Sequence, residues 1–67
     1  MNKNKLNELL HEGNEAHLKG DYRDAIRLFQ SARQEAPGDS TARKSHYRAA
    51  TELALQQANL TLTQNLQ

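Results

Sequence analysis

The sequence predicts an all-α chain, an antiparallel three-helix unit in which a helix hairpin leads into a long third helix. Composition is the first reason. The apolar set is dominated by ten Leu and nine Ala, with one Ile and no Val, so helix formers abound and the β-branched aliphatics of strands are nearly missing. Punctuation is the second. Turn residues cluster at Gly20-Asp21 and at Pro37-Gly38-Asp39, cutting the chain into three pieces. Between those cuts apolar residues recur at three- and four-residue steps, which is the helical period.

The first helix is expected over Lys5–Leu18, with Leu6, Leu9, Gly13 and Ala16 on one side. Gly20 is placed to take the left-handed conformation after its end, and Lys19 suits the negative pole of the helix dipole. The second helix starts with Asp21 as N-cap and Asp24 three residues on, a carboxylate version of the capping box. Its apolar stripe is Tyr22, Ala25, Ile26, Phe29, Ala32 and Ala36, and Pro37 stops it by lacking an amide and disfavouring helix before it. The third helix begins at Asp39 or Ser40 and meets no Gly or Pro afterwards. It runs to about Asn65, roughly 39 Å at 1.5 Å per residue. Short connections make successive helices antiparallel.

Nine Lys and Arg stand against eight Asp and Glu, mixed in sign along residues 3–52. That balance argues against nucleic acid or an anionic membrane as the main partner. There is no cysteine for a disulfide or thiolate site, and no apolar run of signal-peptide or membrane-spanning length. The expectation is a cytoplasmic protein. At this size a single core supplies only about 3–5 kcal/mol.

Residues 6–39 resemble a tetratricopeptide repeat, whose period is about 34 residues. The resemblance rests on Gly13, Ala25, Phe29, Ala32 and Pro37 at the family's spacings, on Leu9 where a large apolar residue is expected, and on "LKGDYRDAI" as the turn between the two helices. Glu12 stands where leucine is usual and Ala16 where an aromatic is common. Residues 40–67 do not repeat the pattern and resemble the extra solvating helix that closes such arrays. The resemblance thus implies one domain over 1–67, with a repeat at 6–39 and a capping or association helix at 40–67. A microtubule-interacting-and-transport domain is the competing three-helix resemblance, with "KSHYRAATELA" in its third helix.

Catalytic and metal chemistry find little support. His11-Glu12 opens a pattern like the zinc-protease helix, but the second His is needed four residues on, where Glu15 stands. Ser31, Ser40 and Ser45 lie in helical or capping contexts without a base. The sequence therefore predicts no enzyme, no metal and no cofactor. Arg43, Lys44 and Arg48 beside Tyr47 read as a solvated helix face rather than an RNA patch. In arrays that grip terminal carboxylates, an Asn follows the small glycine, as Asn14 does. Leu10 occupies the place of the companion lysine, so that mode is not expected.

The third helix carries two stripes at 100° steps. Ala42, His46, Ala49, Ala50, Leu53 and Leu60 form the one expected to cover the second helix. Tyr47, Ala54, Leu55, Ala58, Leu62 and Leu66 form the other, and residues 53–67 carry no charge. The resulting expectation is a non-enzymatic interaction module, an adaptor or scaffold. Leu10, Asn14, His17 and Leu18 would point away from the hairpin core and hold a partner helix or peptide. Tyr47, Leu55, Ala58, Leu62 and Leu66 would join copies into a homo-oligomer. The opposing expectation is a structural self-assembly unit.

Overall fold

The computed structural model describes residues 3–65, which form three helices: α1 (Lys3–Leu18), α2 (Tyr22–Glu35) and α3 (Ser40–Asn65). No strand occurs among the described residues. α1 and α2 form the hairpin. Their antiparallel register is fixed at three levels by the Lys5–Glu35 ion pair at 3.3 Å, the Gly13–Phe29 contact and the His17–Tyr22 ring pair.

The first turn closes as a Schellman motif. Gly20 adopts φ +82°, its N–H bonds to the His17 carbonyl at 3.0 Å, and the Asp21 N–H reaches the Ala16 carbonyl at 2.9 Å. An L side chain at Gly20 would be strained there. The expected carboxylate box at the start of α2 does not form. The Asp21 side chain makes no capping bond, and Asp24 is drawn instead to Arg27 at 3.1 Å. Asp39 is the cap of α3, its Oδ1 accepting the Thr41 N–H at 2.8 Å.

The core is a row of small residues around one ring. Ala25, Phe29, Ala32, Ala42 and Ala49 are wholly buried, and Leu6 and Ala36 nearly so. Two clusters divide them. Leu6, Ala32, Ala36 and Ala42 close the end beside Pro37, while Ala25, Phe29 and Ala49 fill the middle. Leu9 lies half-buried against the first cluster, and Leu10 packs against both. Alanine seams let helix backbones come close, but each alanine buries little area, and Phe29 is the largest side chain that is fully buried.

Helix length sets what happens next. α3 packs chiefly on α2 and scarcely touches α1. α2 has 14 residues and α3 has 26, so α3 outruns its neighbour by about 18 Å. Burial on α3 stops accordingly: Leu53 is half-buried, and every described residue from Ala54 onward is exposed. Leu60 was expected to cover α2, yet it is 54% exposed. It lies on the α2 side of its helix and shares an open hollow with Tyr22, the first residue of α2, which leaves it uncovered.

Candidate functional site

A concave surface that involves three of the expected partner residues lies between α1 and α3. Asn14, His17 and Leu18 supply one wall and Ser45 and Arg48 the other, above the edge of the Phe29 ring. Its volume is about 350 Å³. On α1, Asn14, His17 and Leu18 share a face because they stand three and four apart. Ser45 and Arg48 share one on α3 for the same reason. Leu18 is the most exposed large apolar side chain described, at 87%. His17 is steadied edge-on against Tyr22, with ring centroids 5.3 Å apart. The surface thus offers an apolar lip, the Asn14 amide, the Ser45 hydroxyl and the fixed positive charge of Arg48.

Three of the four residues expected to hold a partner therefore line one groove. Leu10 does not point away from the core as expected. It is half-buried because its side chain reaches both clusters, one holding Ala42 and the other Ala49. Ser45 and Arg48 were not singled out as groove residues. Their common face was readable from their spacing, but its position opposite α1 depends on how α3 folds back.

A second cluster joins α2 to α3. Arg33 Nη1 donates to His46 Nδ1 at 2.7 Å, which places the imidazole proton on Nε2. The same guanidinium lies 5.4 Å from the centroid of the Tyr47 ring, and His46 stacks on Tyr47 at 5.7 Å. Burial, with the Arg33 charge beside it, holds the His46 pKa below its ordinary value. Tyr47 was grouped with the outer leucines, but this network engages one side of its ring.

Leu55, Ala58 and Leu62 are exposed on α3, with Leu55 at 54% and Leu62 at 60%. Leu66 lies outside the described residues. His11 Nε2 meets Glu15 Oε1 at 2.9 Å, so the histidine of the zinc-like pattern pairs with the carboxylate that displaced its partner. Among the described residues no group of three His, Cys, Asp or Glu is placed to hold a metal ion, and no helix is long and apolar enough to cross a membrane.

The class these features define is an all-helical hairpin with a longer third helix. Comparison with protein-family models, curated proteins and solved structures finds no match to the chain.

Proposed function

We propose that this chain is a non-enzymatic interaction module of tetratricopeptide-like design, which holds a helix or extended peptide in the α1–α3 groove and associates with copies of itself. The groove is the observation that carries the reading: Asn14, His17 and Leu18 face Ser45 and Arg48 across it. An apolar lip beside a few convergent polar groups suits helix-in-groove or extended-peptide recognition. A partner would seat an apolar side chain on Leu18 and an acceptor group on Arg48 and Asn14. Gly13, Ala25, Phe29, Ala32 and Pro37 serve the scaffold that sets the two walls apart.

Selection from a random peptide library tests this. Enriched peptides should lose at least about tenfold in affinity with Leu18→Glu or Arg48→Glu, the size of a modest hot spot. They should keep their affinity with Leu62→Glu, which lies outside the groove. Peptides indifferent to both groove changes would remove the site.

A further inference from the structure

We propose that the outer stripe of α3 docks on the same stripe of a second copy, antiparallel, with the two-fold axis at Ala58. This rests on the self-associating half of the reading above and gives it a register. At 100° per residue the stripe is centred on Thr51, Ala58 and Asn65, one heptad apart. Ala54 with Leu55, and Thr61 with Leu62, flank that line. All of these are exposed, and the line faces away from the side on which Ala42 and Ala49 meet α2.

The occupant follows from size and charge. A two-fold axis at Ala58 keeps each side chain on its own edge of the seam, so Leu62 of one copy lies beside Leu55 of the other along one edge, and Ala54 beside Thr61 along the opposite edge. Leucine therefore meets leucine on both sides of the axis, small residues line the other edge, and the two Ala58 side chains allow close approach at the axis. The sequence supplies this apolar pairing to itself. Residues 53–67 contain no Asp, Glu, Lys or Arg, so nothing repels across a symmetric seam and no charge is offered to a different partner. The pairing spans 51–65, about 22 Å, and the two hairpins hang from opposite ends of it. Because α3 outruns α2, neither hairpin obstructs the other.

The seam's seven residues a side are well below the ~20–30 of a stable interface. The dimer is therefore concentration-dependent. Sedimentation should show a mass near 7.6 kDa at low micromolar concentration, rising toward twice that at several hundred micromolar. The chain has no cysteine of its own, so engineered thiols report the register directly. Ala58→Cys should form a disulfide with its copy under mild oxidation. Leu62→Cys alone should not, while Leu62→Cys combined with Leu55→Cys should. Ala58→Lys should hold the mass at the monomer with its circular dichroism unchanged, and Gln57→Lys, off the seam, should not.

A mass that rises without an Ala58→Cys crosslink would overturn the register and leave self-association standing. A mass constant at 7.6 kDa to high concentration would overturn both. The groove is judged separately, by its peptides.

Discussion

Replacing Gly13 by alanine tests the contact between α1 and α2 through a sign change. A Cβ built at Gly13 would lie 2.5 Å from Phe29 Cε1, 2.8 Å from Cδ1 and 2.9 Å from Cζ. Carbon atoms rest at about 3.5–4.0 Å, so the ring must retreat by roughly 1 Å. It has nowhere to go, since Phe29 is 0% exposed and Ala25 and Ala49 share its cluster. Overpacking of this kind costs about 1–3 kcal/mol, while alanine returns about 1 kcal/mol of helix propensity over glycine. The net loss is up to about 2 kcal/mol, and each kcal/mol lowers Tm by about 4–8 °C in a domain this small. In a Phe29→Leu background the obstructing ring is gone, and Gly13→Ala should stabilise by about 1 kcal/mol. Thermal and urea melts followed by circular dichroism measure all four corners of the cycle, with sucrose added to hold the weaker variants folded. If Gly13→Ala stabilises equally in both backgrounds, Phe29 does not pack on Gly13 and the hairpin geometry is wrong.

Phe29→Ala should abolish the cooperative melt, because losing a buried Phe costs about 3–5 kcal/mol, all that a core of this size provides; a near-native transition would refute the packing. Leu10→Glu should lower helicity and Tm, since a carboxylate would be pressed against both clusters; an unchanged melt would return Leu10 to the groove. Stability should fall with acid at His46. Its folded pKa lies below the unfolded value near 6.5, so the unfolded chain binds more protons there and stability rises with pH. The contribution is complete above 6.5 and lost as pH falls through 6.5 to the lower folded value. His46→Gln should flatten that portion of the Tm profile, and an unaltered slope would place the titration elsewhere.

Much of the fold was legible because local chemistry and tertiary packing agree along the chain. Gly20 and Pro37 end helices for backbone reasons that no packing overrides, and the Ala25–Phe29–Ala32 stripe is buried where the period put it. Other features depended on relative lengths and on alternatives between side chains. Leu60 lies on the expected face, but the end of α2 leaves it exposed. Asp24 had two uses, a cap or a pair with Arg27, and spacing does not rank them. The groove was half legible: the α1 wall follows from one helix, whereas Ser45 and Arg48 join it only through the return of α3. The Arg33–His46–Tyr47 cluster links residues 13 and 14 positions apart, beyond any local pattern.

The alanines between α2 and α3 bear on how this chain tolerates change. At Ala25, Ala32, Ala42 and Ala49 a substitution has almost no side chain to remove, so harm comes from enlargement. Each added methylene must force apart helices that touch through methyl groups. On the outer side of α3 the constraint reverses, and bulk can be gained or lost without disturbing the hairpin. A complete substitution scan of the folded monomer should therefore divide α3 lengthwise, with one side closed to larger residues as far as Ala49 and the other open throughout.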